Sequence, residues 1–254
     1  MCGRFSRASG RDALAEAFPG VDLGELDFRP RYNVAPNQPV EAIVHDEAVL
    51  RLVPMHWGFT PAFAKDPTFA PINARAETVA TSPMFRQAFR HGRCLIVADG
   101  FYEWRPDGRR KTPYFIRLRS GRPFGFAAIY SGRASPAVQS RKSTVEGGAE
   151  ESLRAPQGRD ARGAVPAVAD RRAAPTCAII TCGPNDVLAA IHNRMPVILP
   201  VAARECWLDP VAAPAALRTL LAPLPAAEMV AYEVSTWVNS PRHDTPECVR
   251  PLRN

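Results

Sequence analysis

Cys2 follows Met1 in the opening MCGRF. Removal of Met1 ahead of so small a side chain would leave a terminal cysteine, with an α-amine and a thiol on adjacent carbons. The amine titrates near ~7.7–8.0 and the thiol near ~8.5, so a modest shift activates either at neutral pH. Three more stretches combine polar side chains with turn chemistry: NARAET at 73–78, GFYEW at 100–104 and HNRMP at 192–196. Glu103, flanked by Phe101, Tyr102 and Trp104, acquires a raised pKa if desolvated, which suits acid–base work. His192 can pass a proton near neutral pH. Asn73 can orient a substrate oxygen. Arg4, Arg75 and Arg194 each stand within two residues of one of these groups, and guanidinium forks hold phosphate in bidentate fashion. Each stretch alone is weak, since a lone histidine or a carboxylate among aromatics is commonly structural. Together they call for a substrate whose reactive carbon lies between phosphates.

The elements that must position these groups are embedded in a chain of 254 residues, long enough for a sizeable buried core. Hydrophobic residues make up 46%, as in a globular protein, and the formal charge is +7. A basic balance fits a polyanionic partner but is too common to establish one. The opening is polar, with no apolar stretch of signal length, and MPVILPVAA is far too short to span a bilayer. The expectation is a cytoplasmic protein, monomeric and not membrane-bound. Its six cysteines are then expected as thiols rather than a disulfide framework. No Cys-x-x-Cys pair occurs, so a zinc site is not expected, and nothing in the chain implies another metal or an organic cofactor. Cys94 and Cys177 lie in strand-like runs and read as small buried hydrophobes.

SGRDALAEAFP reads as a short helix with Ser9 as N-cap. RPRYNVAPNQPV is proline-rich and reads as a loop. EAIVHDEAVLRLVPMHWGF reads as two strands around a turn at His45-Asp46-Glu47. RCLIVADGFYEWR, TPYFIRLRS and PFGFAAIYS read as three further strands, and MVAYEVSTWV as another. The chain is expected to be helical from Asn185 through AAIHN, and again over VAARECWL and PAALRTLLAPL. From about 132 to 174 the chain has no aromatic residue and no hydrophobic period. It cannot bury enough apolar surface to offset ordering entropy, and reads as a disordered insertion within one domain spanning 1–254.

Taken in order, MCGRF, RYNVAP, WGFTP, NARAET, SPMFRQAF, GFYEW, HNRMPVIL and VSTWVNSPRHD resemble the SOS response-associated peptidase (SRAP) family. The resemblance covers nearly the whole chain except the insertion, and the fixed order of so many motifs makes it specific. It implies a single α+β domain with a strongly bent, mostly antiparallel, barrel-like sheet flanked by helices. It also implies a sensor of abasic sites in single-stranded DNA that crosslinks to the lesion through Cys2. The α-amine would condense with the open-chain sugar aldehyde, and the thiol would close a thiazolidine ring, helped by intramolecular proximity. Glu103 would assist ring opening and imine formation, His192 would serve the sugar oxygen, and Asn73 would position the amine or sugar. Arg4, Arg75 and Arg194, with Arg86 a weaker candidate, would hold the flanking phosphates. Asn33 and Pro36 would shape the pocket behind Cys2, and Thr181 would contact the backbone near His192. Trp57 and Phe63 are candidate platforms for bases, with a core role the competing reading for Trp57. His45, His56, His91 and His243 have no paired motif and read as surface or structural residues.

Three other classes compete. Glutamine amidotransferases also open on Met-Cys-Gly, but this chain continues with RFSR and contains no Asn-Gly. A thiol peptidase would use Cys2 and His192 as a dyad. A non-catalytic single-strand-binding module needs only the arginines and leaves the near-terminal cysteine without a role.

Overall fold

The apolar runs over 93–98, 124–131 and 176–182 become strands, whereas MPVILPVAA gives only a two-residue strand and the start of a helix. In the computed structural model, residues 2–26, 28–61, 63–64, 69–132 and 174–252 are described. In chain order they form β1 (Phe5–Arg7), α1 (Arg11–Ala17), β2 (Val21–Asp22), β3 (Arg31–Val34), β4 (Pro39–Asp46), β5 (Val49–Trp57), β6 (Asn73–Arg75), α2 (Arg86–His91), β7 (Arg93–Ala98), β8 (Gly100–Asp107), β9 (Arg110–Leu118) and β10 (Phe124–Ser131). From residue 174 onward come β11 (Thr176–Cys182), α3 (Asp186–Ala189), β12 (Met195–Pro196), α4 (Val201–Leu208), α5 (Pro214–Thr219), β13 (Met229–Glu233) and short 3-10 turns, including Thr236–Asn239. All but the ends of the expected insertion over 132–174 lie outside the described residues.

The architecture is α+β, with two sheets. One is antiparallel in the order β13-β9-β8-β1-β3. The other runs β12-β11-β10-β7-β4-β5-β2, and β11 also pairs with β5 and β6. The β11–β5 pairing, Thr176 to His56 and Cys177 to Trp57, closes β11, β10, β7, β4 and β5 into a ring. Closure removes exposed edges and explains the barrel-like curl. The pairings of β11 with β5 and β6, and of β2 with β5, are parallel, so the second sheet is mixed.

An aromatic cluster joins the two sheets. Phe5 of β1 lies 5.1 Å from Trp57 of β5 and 5.8 Å from Phe126 of β10, and Phe101 of β8 lies 6.0 Å from Phe126. A second, smaller core of Tyr102, Phe115, Val234, Val238 and Cys248 packs on the opposite face of the first sheet. Strand β8 therefore has both faces covered, and its run GFYE is continuously buried.

Several expectations need correction. RPRYNVAPNQPV contains a strand: β3 pairs with β1 at the sheet edge, where flanking prolines forgo no ladder bond. Ser9 does not cap α1; Gly10 is the N-cap, and the Ser9 hydroxyl bonds the Asp99 carboxylate instead. Asp99 also accepts from the Ala8 and Ser9 backbone N–H groups, and there RCLIVADGFYEWR splits into β7 and β8. Beyond Asn185, whose side chain accepts from Leu188 N at 3.0 Å, α3 makes one turn only, and AAIHN leaves it. MVAYEVSTWV is a strand as far as Glu233 and then turns. The hairpin around His45–Glu47 forms as the sequence suggests, with Glu47 at φ 54° in its turn. Cys94 and Cys177 are fully buried.

Candidate functional site

Cys2 precedes β1 by three residues and is fully buried. Burial pushes its thiol well above the usual range, and the Glu103 carboxylate adds to the rise. Asn73 opens β6, the short strand laid parallel on β11, and its Nδ2 donates to the Cys2 carbonyl at 2.9 Å. Asn73 Oδ1 is buried and has no hydrogen-bond partner among the described residues.

Glu103 sits on β8 between Tyr102, fully buried, and Trp104, and is itself only 3% exposed. Burial pushes its carboxyl up to about 7. His192 follows the single turn of α3, with its backbone N–H donating to Leu188 O. Its Nε2 lies 4.0 Å from Glu103 Oε2. Its Nδ1 faces the Arg194 backbone, 3.1 Å from the N–H and 3.3 Å from the carbonyl, so the neutral ring can carry its proton on either nitrogen. Burial lowers the pKa of His192, favouring that neutral form. A cavity of about 450 Å³ opens here, lined by Glu103, Trp104, Lys111, His192 and Asn239. A carboxylic acid that is half-ionised near neutral pH, beside a neutral imidazole, can give and take protons within one cavity.

The remaining expected residues divide. Arg4 is half-buried and donates to Asn33 Oδ1 at 2.8 Å and Val238 O at 2.9 Å. Asn33 is buried, and its Nδ2 faces the carbonyls of Val238, Ser240 and His243. These contacts anchor segment 235–244. Pro36 is half-buried after β3, and Arg75 is exposed two residues past Asn73. Arg86 is exposed at the start of α2. Arg194 is held by Glu77, Nη1 to Oε1 at 2.5 Å and Nη2 to Oε2 at 2.9 Å, and Nη2 also reaches the Thr181 carbonyl. Thr181 is fully buried. Its backbone and hydroxyl oxygens both meet Arg194, so it supports the residue next to the imidazole.

Trp57 is a correction: it is fully buried against Phe5, with its indole N–H donating to Ile72 O at 2.9 Å, and offers no face to a base. Phe63 is exposed, yet it borders a separate groove with Phe59, Met84 and Tyr130, not the Glu103 cavity. Lys111 and Asn239 were missed by sequence reasoning. Lys111 sits in a charged hairpin end with no motif around it, and Asn239 reaches the cavity only because the 235–244 segment folds back over β8 and β9. Among the described residues no three His, Cys, Asp or Glu side chains gather as metal ligands would, and no helix is long and apolar enough to cross a membrane.

Fold and site together define an α+β protein with a curled mixed sheet and an acid–base pair set beside a near-terminal cysteine. The family model described as SOS response associated peptidase (SRAP) matches residues 1–241, and the chain belongs to that family. It is 38% identical to the abasic site processing protein YoqW of Bacillus subtilis, over 98% of this chain and 99% of that one. It is 30% identical to the abasic site processing protein YedK of Escherichia coli, over 99% of this chain and 100% of that one. A crystal structure of a protein from Bacteroides thetaiotaomicron shares the fold, with a TM-score of 0.73 over 98% of this chain and 100% of that one, at 23% identity.

Proposed function

We propose that this protein captures abasic sites in single-stranded DNA as a covalent thiazolidine at Cys2, once Met1 has been removed. The observation that carries the reading is the grouping around Cys2: Asn73 donates to the Cys2 carbonyl, the Glu103 carboxylate acts on the Cys2 thiol, and Glu103 stands 4.0 Å from His192 in the cavity that both line. The names of the relatives, abasic site processing proteins, supply the substrate class.

The chemistry follows from the environment of each group. Burial keeps the Cys2 thiol protonated at rest, so the α-amine attacks first. It adds to the aldehyde carbon of the ring-opened sugar, and the carbinolamine hydroxyl takes a proton from Glu103 and leaves as water. The Cys2 sulfur then adds to the iminium carbon, its proton returns through His192 to the Glu103 carboxylate, and the five-membered ring closes. Loss of the imine halts the β-elimination that would break the strand. The open Asn73 Oδ1 accepts an N–H from the amine as it attacks. The raised thiol also disfavours a peptidase that relies on a preformed thiolate.

Incubating the mature protein with an abasic single strand tests this. The expected result is a 1:1 adduct that survives heat and denaturant, absent from Cys2→Ser, which retains binding that weakens with salt. Equal adduct yields from wild type and Cys2→Ser would overturn the reading.

A further inference from the structure

We propose that Trp237 and His243 form a platform on which an unpaired base next to the captured sugar stacks, a second contact with the strand beside the Glu103–His192 cavity. This rests on the reading of the protein as a binder of single-stranded DNA. The two rings lie face to face, with centroids 3.5 Å apart and planes within 6°. Trp237 is nonetheless 48% exposed, whereas Trp57 and Trp207 are fully buried. With His243 covering one indole face, the accessible area belongs to the opposite face and edge, and neither hydrophobic core includes the ring.

The pair is held rigidly. His243 Nδ1 lies 2.7 Å from the Trp237 carbonyl, and the His243 carbonyl accepts from Asn33 Nδ2 at 2.6 Å. A ring fixed in advance loses little freedom when a base lands on it. The position connects it to the site, because the same 3-10 turn carries Trp237 and Asn239, and Asn239 lines the cavity with Glu103 and His192. The charge suits a phosphate backbone. Lys111 lines the cavity and Arg242 is exposed next to His243. The nearby Asp244 carboxylate is already engaged by the backbone N–H groups of Tyr32 and Asn33. A nucleobase has the flat π-face and the adjacent anionic backbone that such a surface selects, and stacking of this kind contributes about 1–3 kcal/mol per base. Trp237 thus fills the role for which Trp57 is too deeply buried.

The test uses single strands carrying a tetrahydrofuran abasic analogue, which has no aldehyde and reports binding without crosslinking. 2-Aminopurine is placed one to three nucleotides to either side of the analogue. Wild type should quench the fluorescence at one or two of these positions. Trp237→Ala should abolish that quenching and weaken binding roughly tenfold, Trp237→Phe should restore most of both, and His243→Ala should give a partial loss. No quenched position, or Trp237→Ala binding within twofold of wild type, would overturn the proposal. A parallel strand with a natural abasic site separates the two readings: no adduct there refutes capture at Cys2, while a quenching pattern dependent on Trp237 still establishes the platform.

Discussion

At the scale of the residue, Glu103 ties stability to chemistry. Burial raises its carboxyl from 4.5 to about 7, so the folded protein holds this proton more tightly than the unfolded chain does. The resulting stability is fully present below the unfolded pKa and is lost as pH rises through about 7, where a buried carboxylate must ionise. At about 1.4 kcal/mol per unit of pKa, the loss is on the order of 3 kcal/mol. Glu103→Gln, neutral throughout, should therefore gain on wild type between pH 5 and pH 8.5 in urea unfolding; parallel curves would refute the assignment. The same substitution should slow adduct formation and remove an inflection near pH 7 from the rate profile. The aromatic neighbours of Glu103 made its desolvation legible in sequence. Lys111 was not legible, because an exposed lysine at a hairpin end looks like any solvated charge until its strand is seen to border the cavity. The Arg194–Glu77 pair was hidden for a similar reason, since only the fold brings 77 to 194.

At the scale of the element, the segment over 235–244 hangs on one side chain. Asn33 Nδ2 faces the carbonyls of Val238, Ser240 and His243, and its Oδ1 accepts from Arg4. Asn33→Ala leaves these groups in a buried place without their partner, at a cost of about 1–3 kcal/mol. Because the carbonyls belong to the turn that presents Trp237 and Asn239, the loss should be local as well as global. Amide exchange over 236–243 should accelerate more than exchange in β7 or β10, and uniform acceleration would refute the anchoring role. Sequence periodicity found the hairpin of β4 and β5 and the strands β9 and β10, where apolar runs are long. It missed β3 because three prolines crowd its ends, and it overextended α3, where an apolar AAI follows a single capped turn. A segment such as 235–244, held by side-chain-to-carbonyl bonds instead of a repeating pattern, leaves no period to read.

At the scale of the whole molecule, Phe5 links the nucleophile to the closure of the fold. Two sheets that share no ladder must be held by side chains, and Phe5 reaches Trp57 and Phe126 across the junction from a strand that begins three residues after Cys2. The position of Cys2 is thus set by the packing of both sheets as well as by Asn73. Phe5→Ala leaves a cavity at the junction and should cost about 3–5 kcal/mol, enough to unfold many domains. Phe5→Leu, closer in volume, should cost about 1–2 kcal/mol and leave the protein folded at 25 °C. In that folded variant β1 has lost its aromatic anchor, and a displacement of about 1 Å at a reacting atom can slow a reaction on the order of a hundredfold. Adduct formation by Phe5→Leu should therefore slow by more than its stability loss alone explains, while binding to a tetrahydrofuran-containing strand, which depends on the rim and not on the nucleophile, changes less. Wild-type adduct rates in a Phe5→Leu protein shown to be fully folded would mean that Asn73 alone fixes Cys2, and that the aromatic junction serves the fold without serving the site.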